Sequence, residues 1–267
     1  MATGRLVEDL GSIAAAGGLD AIGYASAEPF SETRTVLEER KAAGLHGGMQ
    51  FTYRNPARST DPARTMPGAR TLVVGVRSYL RRLPGEVGSD AVGSDAAGSD
   101  AAPPSAAAGS RPQARVARYA WSDHYRDLRA GLGGVADRLR ADGYRAMVLA
   151  DDNALVDRAA AVRAGIGWYG NNATVLLPGA GSWYVIGAVL TDADLPTSTP
   201  VSPGCGTCRR CAPACPTGAL VSPGVLDARR CLAWLIQAPG VFPLAYREAV
   251  GDRIYGCDEC LDVCPWN

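Results

Sequence analysis

Apolar and polar positions fall into alternating blocks over the first two hundred residues, and the blocks predict a mixed chain of strands and helices. Runs rich in Val, Leu, Ile, Ala and aromatic residues at Leu19–Ser26, Thr71–Tyr79, Arg145–Ala150 and Trp183–Thr191 read as strands. Helical spacing covers Ser31–Ala43, closed by Gly44, and 124–142, where Tyr125, Leu128, Leu132, Val135 and Leu139 recur three and four apart. A third helix is expected from Ala154 to Ala164, with Asn153 as N-cap and Gly165 as its stop. This order predicts an α/β or α+β domain of about 170 ordered residues.

The pattern lapses twice. At 86–113, Gly-Ser-Asp recurs at a period of five (Gly88, Gly93, Gly98) and gives way to Ala- and Pro-rich sequence, a surface insertion with too little apolar area to order itself. At Val201-Ser202-Pro203-Gly204 the composition turns to Cys, Pro and Gly, which predicts a first domain over 1–200 and a second over 201–267.

Charge changes the picture by exclusion. Lys+Arg and Asp+Glu both number 27, so a nucleic-acid binder that works by bulk positive charge is ruled out. No apolar run approaches the ~20 residues of a membrane span. Glu8 and Asp9 stand where an export signal needs apolar sequence, so a cytoplasmic protein with no membrane partner is expected.

The eight cysteines carry the chemistry, and all lie beyond residue 204. Cys205, Cys208, Cys211 and Cys215 read C-x2-C-x2-C-x3-C with Pro216 following, the ferredoxin spacing in which the fourth cysteine serves a second cluster. Cys257, Cys260 and Cys264 repeat its last three positions before Pro265, and Cys231 fills the vacancy left at Ile254. The count closes on two four-iron four-sulfur clusters: one on Cys205, Cys208, Cys211 and Cys264, the other on Cys215, Cys231, Cys257 and Cys260. Zinc does not explain the proline-terminated run, and disulfides need an oxidising compartment. Gly165-Ile166-Gly167-Trp168-Tyr169-Gly170 matches G-x-G-x-x-G, but it follows a helix where a dinucleotide site follows a strand; a tight loop is expected instead.

Several stretches then carry a resemblance: Asp151-Asp152-Asn153-Ala154-Leu155-Val156-Asp157-Arg158, Arg163 to Asn172, Gly181-Ser182-Trp183, Leu45-His46-Gly47-Gly48-Met49, Ala117 to Trp121 and Tyr255 to Cys260. In this order the chain resembles the epoxyqueuosine reductase family over nearly its whole length apart from 86–113. The resemblance implies a nitroreductase-like α/β domain that binds cobalamin, within an α+β chain, followed by a small ferredoxin-like domain with two 4Fe-4S clusters. It implies reduction of epoxyqueuosine to queuosine in the anticodon of tRNA, with electrons from a reductant such as a ferredoxin or flavodoxin; a monomer is expected.

The family's proton donor falls on Asp151, provided burial holds the proton there. Cobalamin contacts are implied for Arg58, Arg118 and Asp151, for Gly170 and Asn172 of the 167–172 loop, and for Ser182 of the Gly181–Trp183 turn. Asp157 and Arg158 read either as a helix-surface ion pair or as groups that position the ligand. Two features depart from relatives: Asn171 stands where they usually carry lysine, and the sequence ends at Asn267 without the helical-repeat extension many of them have. The alternatives are a related cobalamin iron–sulfur reductase of small molecules, as in reductive dehalogenation, and a non-catalytic electron-transfer protein.

Overall fold

The computed structural model describes residues 2–80 and 114–267, so the insertion expected at 86–113 lies outside the described residues. In chain order the first part runs α1 (Ala2–Ala16), β1 (Ala21–Ser26), α2 (Ser31–Ala42), α3 (Pro56–Ser59), β2 (Thr71–Ser78), β3 (Arg115–Val116), α4 (His124–Ala141), β4 (Ala146–Ala150), α5 (Asp157–Arg163), β5 (Trp168–Tyr169), β6 (Val175–Leu176) and β7 (Tyr184–Thr191). The cysteine-rich part follows as α6 (Cys211–Ala214), β8 (Leu220–Ser222), β9 (Val225–Leu226), α7 (Leu232–Leu235), α8 (Arg247–Val250), β10 (Arg253–Tyr255) and α9 (Glu259–Asp262).

Four strands make the main sheet in the order β1-β2-β7-β4. Every neighbouring pair is antiparallel, with β2 against β7 in unbroken register from Thr71↔Thr191 to Ser78↔Tyr184. Helices cover both faces, which explains why β2 reads as a solid apolar run without alternation. Leu72, Val74 and Val76 join α5 and Phe30 in one core, while Val73 faces the α1/α4 layer with Leu10, Leu128, Leu132 and Leu139. An all-antiparallel sheet makes this part α+β, so the rule that ligands gather at the carboxyl ends of parallel strands does not place Asp151. Its role has to be argued from its surroundings.

Two local outcomes differ from expectation and a third agrees with it. Helix α1 lay unseen because Gly4 and Gly11 weaken its signal, yet Leu6, Leu10 and Ala14 form a buried i, i+4, i+8 stripe. Helix α5 starts at Asp157 rather than Ala154, because Asp152 Oδ1 accepts the Ala154 N–H at 2.8 Å and takes those residues into a turn. The glycines of 165–170 shape packing, as expected of a tight loop: Gly165 ends α5 at φ +69°, and a Cβ on Gly167 would run into the Leu176 carbonyl across the β5–β6 hairpin.

Strand β1 passes the end of α5 so closely that a Cβ on Gly23 would collide with the Ala164 carbonyl. Gly23→Ala is therefore expected to cost about 1–3 kcal/mol of stability as an overpacked contact, read as a lower denaturant midpoint.

The cysteine-rich part is tied to the first by backbone. β10 pairs in parallel with β3, the Asp258 carboxylate accepts the Arg118 N–H at 2.7 Å, and the Trp234 indole donates to Gly47 O at 2.9 Å. No helix among the described residues is long and apolar enough to cross a membrane.

Candidate functional site

Short turns bring the first group of thiols together. The Cys208 N–H bonds to Cys205 O at 3.0 Å, Cys211 opens α6, and Cys264 follows α9. Cys205, Cys208, Cys211 and Cys264 share the wall of a small cavity with Asn171, Asn172 and Trp266. The second group is close enough to act electrostatically on itself. Burial pushes the Cys260 thiol far up, and Cys231, Cys257 and Cys215 push it further. Burial also raises Cys231, where Cys215 adds to the effect, and Cys257, where Cys231 adds. Cys215 is the exception: burial alone would raise it, but N–H groups of Thr217 and Ala219 aimed at its sulfur bring it below the ordinary thiol range.

All eight cysteines are free thiols. Among the described residues no three His, Cys, Asp or Glu side chains are grouped for a single metal ion. Thiols spread around a cavity instead fit a cluster that brings its own sulfide between the irons.

A second constellation sits at the end of β4. Asp151 is exposed and held in the left-handed region at φ 56°. One turn on, Asp157 has a covered Oδ1 with no hydrogen-bond partner among the described residues. Burial pushes the Asp157 carboxyl up to about 8; the Arg158 charge opposes this, while Asp151 and Asp152 add to it. Tyr125 is pushed up to about 12 by burial, with Asp157 and Asp151 contributing. Tyr79 is raised further still by burial, in the fields of Asp258, Arg158, Tyr125 and Cys260. Arg158 acts on Cys231 as well, which puts the aspartate face beside the second thiol group.

This corrects one expectation. The acid that burial raises is Asp157, half-buried with its Oδ1 covered, whereas Asp151, expected to keep its proton through burial, faces solvent. Because the folded state raises the Asp157 pKa, it binds a proton that the unfolded chain has released between about 4 and about 8. That contribution to stability is full below the unfolded value and is lost as pH rises through about 8. Asp157→Asn is expected to flatten the fall in melting temperature between pH 6 and pH 9; a fall equal to that of the wild type would contradict this.

The other positions expected beside a corrin lie in several different surroundings. Arg118 pairs with Asp262 at 3.0 Å and stacks against Trp121 and Trp183, where it joins the two parts of the chain. The Ser182 N–H and hydroxyl both engage Asn267 Oδ1, at 2.6 and 3.2 Å. Asn172 lines the thiol cavity, and Gly170 packs against its amide so tightly that a Cβ would lie 2.6 Å from Asn172 Oδ1. Arg58 is exposed on α3. Asn171 donates to Cys208 O at 2.7 Å, which places this departure from relatives on the cysteine loop. The contributions of Tyr79, Asp258 and Asn267 had no sequence signal, since each acts through partners far along the chain.

Residues 204–267 match the family model described as a 4Fe-4S double cluster binding domain. The epoxyqueuosine reductase of Lactococcus garvieae is 32% identical over 272 residues, covering 98% of this chain and 70% of that protein. The chain belongs to the epoxyqueuosine reductase family. The Bacillus cereus member is 32% identical over 255 residues, and the chain spans 61% of its length. A crystal structure of an epoxyqueuosine reductase with an epoxyqueuosine-modified tRNA-Tyr stem loop superposes with a TM-score of 0.85 at 30% identity, covering 99% of this chain and 66% of that one. The family's Bacillus subtilis structure, with its catalytic loop swung out of the active site, gives 0.84. A reductive dehalogenase shares the fold at a TM-score of 0.58 and 18% identity, a likeness of fold alone. The fold class is thus the expected one, an α+β part followed by a small iron–sulfur domain.

Proposed function

We propose that this chain reduces epoxyqueuosine to queuosine in the anticodon of tRNA, using cobalamin and two four-iron four-sulfur clusters. The observation that carries the reading is the adjacency of an acid pair, Asp151 and Asp157, to the half-buried thiols of Cys231 and Cys260 through Arg158 and Tyr79. The tRNA stem loop bound by the family structure supports the substrate.

Cobalamin supplies, when bound, a cobalt centre reducing enough to open the epoxide. The aspartate face fits a large polar ligand: Asp157 Oδ1 is covered and unpartnered among the described residues, and the Arg158 guanidinium has donors to spare beyond Ala173 O at 3.4 Å. Arg58, Arg158 and the Gly170 backbone are the groups we assign to its polar arms.

Removing the epoxide oxygen as water takes two electrons and two protons. Asp151, exposed at the face, delivers a proton to that oxygen. Asp157 still holds its own at neutral pH and stands as a store beside it. Cys215, Cys231, Cys257 and Cys260 hold the cluster next to this face, and Cys205, Cys208, Cys211 and Cys264 hold the outer one, which a ferredoxin or flavodoxin of the cytoplasm charges. We take the working unit to be a monomer.

Anaerobic reconstitution with iron, sulfide and cobalamin tests the cofactor set. Visible and electron paramagnetic resonance spectra are expected to show two clusters and bound cobalamin. Two clusters with no cobalamin would leave an electron carrier and remove the reductase reading.

A further inference from the structure

The loop after β5 reaches out of the first part of the chain into the wall of the cavity formed by Cys205, Cys208, Cys211 and Cys264. The Asn171 N–H donates to Cys205 Sγ at 3.5 Å, and its side-chain amide donates to Cys208 O at 2.7 Å. Asn172 lines the same cavity and is only 5% exposed. Its Oδ1 accepts the Thr174 N–H at 3.2 Å and the Thr174 hydroxyl at 2.8 Å. A backbone N–H can only donate, so this contact decides which end of the amide is oxygen. The Nδ2 is thereby turned away from Thr174, fully buried, and without a hydrogen-bond partner among the described residues.

A buried amide donor left unpaired is costly, and buried donors are nearly always satisfied. The polar groups that share the cavity wall with Asn172 are chiefly thiols, and thiolate and inorganic sulfide both accept hydrogen bonds. We propose that the Asn172 side-chain amide donates to sulfur of the four-iron four-sulfur cluster held by Cys205, Cys208, Cys211 and Cys264. With the Asn171 N–H on Cys205, it sets that cluster's reduction potential. The inference rests on the reading of these four cysteines as cluster ligands. Donors beside the sulfurs stabilise the negative charge gained on reduction, so they raise the potential. Asn172 is then a positioning residue of the electron path and not a corrin contact.

The test is a redox titration of the reconstituted holoprotein followed by electron paramagnetic resonance. Asn172→Asp keeps an oxygen for Thr174 and replaces the donor by an acceptor. It is expected to lower the reduction equilibrium of one cluster at least tenfold, about 59 mV for one electron, and to leave the other unmoved. Thr174→Val removes a hydroxyl, keeps the donor, and is expected to move neither. Unshifted midpoints in Asn172→Asp would overturn the proposal.

The new carboxylate could shift the potential by charge alone, or hinder cluster assembly, so the bond is also read directly. In wild-type protein carrying asparagine labelled with nitrogen-15 in the side-chain amide, hyperfine spectroscopy of the reduced cluster is expected to show a coupled nitrogen. That coupling should persist in Thr174→Val, and its absence would overturn the proposal. Iron and sulfide analysis of the wild type separates the two layers. Less than two clusters' worth removes the cluster reading and this inference with it; two clusters without the coupling removes this inference alone.

Discussion

Replacing Cys231 by serine is expected to halve the iron and sulfide of the reconstituted protein, from about eight of each to about four per chain. Of the eight cysteines it is the one outside both spaced runs, so its assignment rests on the count closing. The structure adds a location. Cys231 stands at the N-cap of α7, its thiol is raised chiefly by burial and then by Cys215, and it in turn raises Cys257 and Cys260. A serine there leaves three thiols and a poor ligand in a buried place, which is too little to hold a cubane. The other cluster shares no ligand with it and is expected to remain. The surviving cluster's spectrum, together with iron analysis, checks this. A full complement in Cys231→Ser would show that the second cluster is held in some other way.

Asp151→Asn is expected to keep both clusters, cobalamin and the fold, and to lose turnover by about 10²–10⁴-fold, the range usual for a positioned general acid. Asparagine is the appropriate replacement because Asp151 sits at φ 56°, a conformation that asparagine tolerates and alanine resists. Asp151→Ala would mix backbone strain with loss of the acid. Asp157→Asn provides the contrast: it removes the stored proton but leaves Asp151 exposed, so a smaller loss is expected, one that shrinks above about pH 8, where Asp157 of the wild type has itself lost its proton. Single-turnover rates of both variants across pH 6 to 9 separate the roles. Equal losses at every pH would merge the two carboxyls into one unit, and full activity in Asp151→Asn would remove it as the donor.

Much of this was legible because the chemistry leaves marks in the sequence. Cluster ligation constrains spacing, so the sequence alone partitions the cysteines into two sets of four. The strands were legible because β2 and β7 are apolar on both faces and end in Gly or polar turns. What escaped were properties created only by folding. Asp157-Arg158 has the spacing and composition of a surface ion pair, and only the folded chain covers Oδ1 and raises the carboxyl. Nothing local reveals that Asn267, 85 positions later, takes the Ser182 N–H and hydroxyl. Nothing local shows, either, that Thr174 orients the Asn172 amide or that Asn172 lines a cavity with thiols more than thirty residues downstream.

The central claim is that this chain removes the epoxide oxygen of epoxyqueuosine in tRNA, and product analysis tests it most directly. Protein reconstituted with both clusters and cobalamin, reduced anaerobically, is incubated with a tRNA anticodon stem loop bearing epoxyqueuosine, and the nucleosides are resolved by mass spectrometry. The account predicts conversion to queuosine with loss of one oxygen, dependent on cobalamin and abolished in Asp151→Asn. Unchanged epoxyqueuosine after many equivalents of reductant, from protein shown to carry both clusters and cobalamin, would contradict it.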